Sequence, residues 1–138
     1  HVYFMAGGSL RRAATSDGAV TTLVATNNFV VQSFIISPNN ARLVFAGYPA
    51  GAPLNSGVYS LPVAGGTVVR LNNTNALPSS ADREVGRFLV NSTSTRVVYS
   101  ADDDTNNVSS LYSAPIATAG GRTVLENRSS LPTRDVLI

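Results

Sequence analysis

Three groups of residues in this chain have the types and spacing to do chemistry. The first is the acidic run Asp102-Asp103-Asp104-Thr105-Asn106-Asn107. Asp102, Asp104 and Asn106 stand in a D-x-D-x-N spacing, and alternating oxygen donors of that kind suit Ca²⁺. Asn107 occupies the sixth position, where a calcium loop turns on glycine, and no glutamate follows at the twelfth. The run therefore reads as a solvated loop. No metal or cofactor is expected, with Asp102, Asp104 and Asn106 as the one calcium alternative. The second group is Asp82 and Glu84, two residues apart. Paired carboxylates serve glycoside hydrolysis, but a solvated loop carries such a pair equally well. The third is a set of four N-x-Ser/Thr sequons, at Asn72, Asn91, Asn107 and Asn127. All four are expected in exposed turns or loops, able to accept an N-linked glycan where a cell supplies the machinery. Asparagine also suits turns for its own sake.

Other chemistries lack their residues. The only histidine is His1, there is no cysteine, and all ten basic residues are arginine. A Ser-His-Asp triad, a thiolate nucleophile and a lysine Schiff base are thereby removed. No G-x-S-x-G elbow occurs either. No catalytic residue is assigned, and the chain is not expected to be an enzyme.

Composition narrows the class. The 138 residues are 43% hydrophobic and 13% charged, so the chain can build a packed core. The net charge of +2 comes from scattered arginines, of which only Arg11 and Arg12 are adjacent. Nucleic-acid binders cluster their positive charge, so nucleic acid is not expected as a partner. No apolar run approaches the ~18 residues of a membrane span. Abundant Ser, Thr, Asn and Gly without Cys or Lys suits a secreted or cell-surface protein, and the expected location is extracellular or cell surface.

An internal repeat organises the sequence. FIISPNNARLVFAG followed by GVYSLPVAGGTVVRLNN (Phe34 to Asn73) aligns with FLVNSTSTRVVYSA followed by SSLYSAPIATAGGRTVLEN (Phe88 to Asn127). Phe34 maps to Phe88, Arg42 to Arg96, Tyr59 to Tyr112, Pro62 to Pro115, and Gly65-Gly66 to Gly120-Gly121. Each unit reads as four short antiparallel strands. In the first they are Phe29–Ile36, Arg42–Ala46, Val58–Pro62 and Thr67–Leu71. In the second they are Val85–Val90, Arg96–Ser100, Ser110–Pro115 and Arg122–Leu125. Gly and Pro punctuate the chain too often for long helices. Phe34, Phe45, Phe88, Tyr99 and Tyr112 fall at core positions, and Tyr48 and Tyr59 near a rim.

The ends fit the same period. HVYFMAGGSLRRAA resembles the second half of a unit, with Tyr3 in the place of Tyr59 and Gly7-Gly8 in that of Gly65-Gly66. Val136-Leu137-Ile138 resembles the opening strand of a further unit. The organisation is then a half-blade plus linker over 1–28, repeats over 29–73 and 85–127, a linker over 74–84, and a linker with a first strand over 128–138.

The pattern S-P-N-N-x-R-L-V-F, then V-Y-S-L-P-V-x-G-G-T-V-V-R-L, resembles the TolB-like or PD40-type (WD40-like) β-propeller repeat. Asn39-Asn40 stands in for that family's Asp-Gly turn, and Ser92-Thr93 for its Ser-Pro. The resemblance implies an all-β fold of antiparallel four-stranded propeller-type blades, about two and a half of them in an incomplete ring. Exposed edges template pairing with another chain. Two organisations follow. In one the sequence is an excerpt of a longer propeller that binds a protein partner or gates a peptidase. In the other it is a non-enzymatic structural subunit that assembles with copies of itself. In that assembly Val136, Leu137 and Ile138 of one copy complement Val2, Tyr3, Phe4 and Met5 of the next, giving a head-to-tail oligomer or filament.

Overall fold

The computed structural model describes residues 1–72 and 82–128, and all of its regular structure is β. Among the described residues eleven strands follow in chain order: β1 (Val2–Ala6), β2 (Ser9–Ala13), β3 (Val20–Val24), β4 (Phe29–Ile36), β5 (Arg42–Pro49), β6 (Gly57–Pro62), β7 (Val69–Arg70), β8 (Val85–Val90), β9 (Arg96–Ala101), β10 (Ser110–Pro115) and β11 (Thr123–Glu126). They form three antiparallel sheets, each a meander of sequential neighbours. Sheet I is β1-β2-β3, sheet II is β4-β5-β6-β7, and sheet III is β8-β9-β10-β11. The two expected repeats are sheets II and III.

Turn chemistry fixes the registers. The Ser37-Pro38-Asn39-Asn40 turn places Asn40 at φ 56°, and the matching Asn91–Ser94 turn places Ser94 at φ 57°. The residues of the Gly65-Gly66 turn have φ of 97° and 130°, conformations open to glycine alone among ordinary residues. Both repeats also bulge in their first strand, between Val31 and Ser33 and between Val85 and Phe88. At the first bulge the chains approach so closely that a Cβ on Gly47 would collide with the Val30 carbonyl oxygen.

The apolar pattern sets the stacking order. Successive strand residues face opposite sides of a sheet, so a strand covered on one side alternates and a strand covered on both does not. In β5 the run Leu43-Val44-Phe45-Ala46 is buried without a break. Leu43 and Phe45 join Val31, Tyr59 and Leu61 in a core shared with Leu10 and Val24 of sheet I. Val44 and Val58 join a second core with Val97, Tyr99, Tyr112, Ala114 and Ile116 of sheet III and its flank. Sheet II is thus the middle layer of three. Stacked aromatic pairs recur at the same cross-strand positions, Phe45 with Tyr59 at 5.1 Å and Tyr99 with Tyr112 at 5.4 Å. Tyr59 is therefore a core residue and not a rim residue, because its ring closes the interface with sheet I.

The N-terminal segment departs from its expected alignment. β2 lies in the middle of sheet I, hydrogen-bonded to β1 on one side and β3 on the other. The last strand of a repeat is an edge, so β2 is not that strand. Ser9-Leu10…Ala13 instead matches Ser110-Leu111…Ala114. The registers agree, with an irregularity between Leu10 and Arg11 on β3 and one between Leu111 and Tyr112 on β11. Sheet I holds the second, third and fourth strands of a repeat. The stretch expected as linker before residue 29 contains β3. Residues 73–81 and 129–138, including Val136, Leu137 and Ile138, lie outside the described residues.

Candidate functional site

One group of polar residues gathers at the end of sheets II and III where the β5–β6 and β9–β10 loops lie. Asp103 is buried there and accepts from the Tyr99 hydroxyl at 3.0 Å and from Asn72 Nδ2 at 2.9 Å. Asp104 accepts from both Arg122 amino groups, at 2.8 and 3.1 Å, and from the Tyr112 hydroxyl at 3.1 Å. The Arg122 guanidinium also lies 4.4 Å from the Tyr112 ring centroid. From sheet II, Arg70 donates to Asn72 Oδ1 at 3.0 Å and to Asn55 Oδ1 at 3.1 Å. Arg83 reaches the same Asn55 oxygen at 3.0 Å. One connected network therefore joins the two sheets through the Asn72–Asp103 bond.

Its electrostatics follow from that burial. Desolvation pushes the Tyr99 phenol well above its usual range, and the neighbouring Asp103 charge and hydrogen bond push it further. Desolvation raises Tyr59 and Tyr112 as well. Arg70 is lowered by burial, with the Tyr59 phenol opposing. For Arg122 burial also works downward, but the hydrogen bonds and charge of Asp104 outweigh it and the guanidinium is held more firmly protonated. Such a network fixes one arrangement of two sheets. Its carboxylates are already engaged by tyrosine, arginine and amide donors.

The predicted site residues are dispersed by this geometry. Asp102 turns away from Asp103 and Asp104 and accepts the backbone N–H groups of Glu84 at 2.6 Å and Asn107 at 3.2 Å. Asn106 is exposed. Asp102, Asp104 and Asn106 thus do not share one centre, and among the described residues no group of three acidic or histidine side chains is placed to hold a metal ion. The loop is not a solvated one either, since Asp102 and Asp103 are buried. Asp82 and Glu84 are exposed on either side of the buried Arg83.

The four sequons divide. Asn107 and Asn127 are exposed. Asn91 is half-buried and caps its own turn, accepting from the Thr95 and Arg96 backbone N–H groups while its amide donates to Thr93 and Thr95. Asn72 is 5% exposed, which corrects the expectation that all four face solvent. Its amide nitrogen, the atom a glycan would take, is the one that donates to Asp103.

A second set of contacts repeats along the stack. Arg42 donates to Ser60 Oγ at 3.0 Å, and Ser60 Oγ donates to the Ile116 carbonyl of the next layer. Between sheets I and II the same step is made by Arg12, at the position of Ser60, donating to the Val63 carbonyl, at the position of Ile116, at 3.3 Å. The Asn39 N–H donates to Ser94 Oγ between the equivalent turns at 3.0 Å. The arginine–serine pairing was not legible beforehand. Its signal was present in Arg42 and Ser60 recurring as Arg96 and Ser113.

Among the described residues no helix is long and apolar enough to cross a membrane. The sequence matches no family model and no curated protein.

Proposed function

We propose that this chain is a non-enzymatic structural subunit, built of propeller-type blades, that assembles with copies of itself at the cell surface or outside the cell. The observation that carries the proposal is the three-stranded sheet I. It has counterparts of the second, third and fourth strands of sheets II and III, and β1 is its edge among the described residues. Among the described residues, the position of β4 and β8 has no counterpart in sheet I. Val136-Leu137-Ile138 has the apolar character of such a first strand. Supplied by one copy to the β1 edge of the next, it completes a four-stranded sheet and adds a subunit. The contact is heterologous, so it closes a ring or extends a filament according to the rotation it imposes.

Non-catalytic use agrees with the engaged state of the carboxylates and with the absence of Lys and Cys from the sequence. A second organisation, a TolB-like propeller module that binds a protein partner, is favoured by one feature. An apolar cleft runs between the first strands of sheets II and III, lined by Phe34, Ile35, Phe88 and Leu89.

Light scattering and negative-stain electron microscopy of the purified chain test self-assembly. Oligomers or filaments are expected, and deletion of residues 135–138 is expected to return the protein to monomer. A protein that stays monomeric at all concentrations, or assembles equally well after the deletion, rules out the strand-exchange proposal.

A further inference from the structure

Two guanidinium groups converge on one neutral atom. Arg70 Nη2 donates to Asn55 Oδ1 at 3.1 Å, and Arg83 Nη1 donates to the same oxygen at 3.0 Å. Arg83 is buried and Arg70 half-buried. The other bonds of Arg70 go to Asn72 Oδ1 and to the Ser56 carbonyl, which are neutral as well. Burial lowers Arg70, the Arg83 charge adds to this, and the Tyr59 phenol opposes. A cation drawn out of water is costly until an anion faces it. Sheet III shows the completed arrangement, with both amino groups of Arg122 on the Asp104 carboxylate at 2.8 and 3.1 Å.

The backbone holds Asn55 in place for this contact. Its N–H donates to the Ala52 carbonyl at 3.0 Å. The Arg83 N–H donates to the Leu54 carbonyl at 2.8 Å, and a parallel bridge sets Asn55 beside Arg83. Asn55 and Ser56 are half-buried, so water reaches the amide. The small side chain of Ser56 lets its backbone nitrogen approach Asn55 Cγ.

We infer that Asn55 is a self-deamidation site, at which Arg70 and Arg83 form an oxyanion hole and the side-chain amide becomes a carboxylate. The Ser56 backbone nitrogen adds to Asn55 Cγ, and the electron pair of the carbonyl moves onto Oδ1, where both guanidiniums already point. Donors aimed at a charge that develops during reaction lower its barrier. The pair returns, the Cγ–Nδ2 bond breaks, and ammonia leaves with the proton given up by the Ser56 nitrogen. Water then adds at Cγ, the bond from Cγ to the Ser56 nitrogen breaks, and a proton from the water returns to that nitrogen. In sum, an amide and a water become a carboxylate and an ammonium ion. The carboxylate lies between the two arginines, as Asp104 lies on Arg122. All the groups belong to one copy, so the reaction is independent of the proposed self-assembly.

Tryptic mapping of the full chain tests this, because the peptide from Leu43 to Arg70 has Asn55 as its only asparagine and contains no glutamine. The protein is incubated at neutral pH in heavy-oxygen water, natively and unfolded in urea. Natively the peptide should change from amide to acid with uptake of one heavy oxygen, roughly tenfold or more faster than in urea. Arg83→Gln leaves this peptide intact and should bring the native rate down to the urea rate or below, with circular dichroism reporting the fold. A wild-type peptide already acid on isolation, beside an Arg83→Gln peptide still in the amide form, gives the same answer. An Asn55 that stays an amide, or converts no faster natively than in urea, overturns the site. Arg83→Gln protein that converts as fast as wild type overturns the oxyanion hole.

Discussion

Sheets II and III are one sequence pattern in two surroundings. Position by position they share the stacked aromatic pair, the arginine-held serine and the left-handed turn residue. They differ in what their loops supply. The loop after β9 brings Asp103 and Asp104, and the two tyrosine hydroxyls of sheet III both find a carboxylate. The loop after β5 has no acid, and the Tyr59 hydroxyl is buried without a hydrogen-bond partner among the described residues. Its positive neighbours Arg70 and Arg83 converge on the neutral oxygen of Asn55. The difference teaches that burial of the aromatic rings builds each layer, while Asp103 binds sheet III to sheet II through Asn72.

The largest expected effect separates a doubly covered layer from an end layer. Phe45 and Phe4 hold equivalent positions, but Phe45 is fully buried between sheets and Phe4 only half-buried. Phe45→Ala should cost about 3–5 kcal/mol, the range for a large core side chain with its cavity. Phe4→Ala should cost about 1 kcal/mol, because less apolar area leaves contact. Urea denaturation of both variants checks this. Equal losses in the monomeric chain would mean that sheet I is covered as fully as sheet II, and the layer order would need revision.

Asp103 comes next. Its carboxylate is the acceptor for Tyr99 and for Asn72 and stands 3.9 Å from Arg122. Asp103→Ala strands a buried hydroxyl and a buried amide and should cost about 3 kcal/mol. The matching change in sheet II does not exist, since no acid stands there, and adding one sharpens the comparison. Asn55→Asp places a carboxylate between Arg70 and Arg83 and should raise the melting temperature at neutral pH. A loss in both variants would mean that acids are tolerated only in the loop of sheet III.

How much of this was legible is itself uneven. The eight strands of the two repeats could be read because β-branched and aromatic runs are bounded by SPNN, NSTS and Gly-Gly turns, whose conformations are locally determined. The N-terminal sheet lies one strand out of its expected alignment. Gly7-Gly8 mimics Gly65-Gly66, and the exposed Val20-Thr21-Thr22 has no apolar alternation to mark a strand. Ser9-Leu10 against Ser110-Leu111 was the better anchor. The Asp102–Asp104 loop was misjudged because its partners are remote in sequence. Asn72 stands 31 residues from Asp103, and Arg122 18 from Asp104. Only the stacking of two sheets makes those distances short.

The alkaline response is a smaller effect, and its direction follows from the tyrosines. The unfolded phenols ionise near the ordinary value of 10.0, while burial holds the folded Tyr99 protonated to higher pH. Between those values the folded state keeps a proton that the unfolded state has lost. Stability is therefore complete below pH 10 and falls as the pH rises above it, by up to about 1.4 kcal/mol per pH unit for each such tyrosine. Thermal melts from pH 8 to 11 should show the decline, and Tyr99→Phe should make it shallower while Tyr59 and Tyr112 keep their share. A wild-type melting temperature that holds steady to pH 11 would mean that Tyr99 is not shielded.

The finest distinction lies between Tyr59 and Tyr112, which occupy one position in the two repeats. Tyr112→Phe removes a hydroxyl that donates to Asp104 and should cost about 1 kcal/mol. Tyr59→Phe removes a buried hydroxyl with no acceptor and should be neutral or slightly stabilising, since desolvating an unpaired polar group is unfavourable. The ring stays in both variants, so packing against Phe45 and Tyr99 is unchanged and the difference isolates the hydroxyl. Should Tyr59→Phe cost as much as Tyr112→Phe, the Tyr59 oxygen must be hydrogen-bonded in solution, and the contrast between the two loops would reduce to their charge.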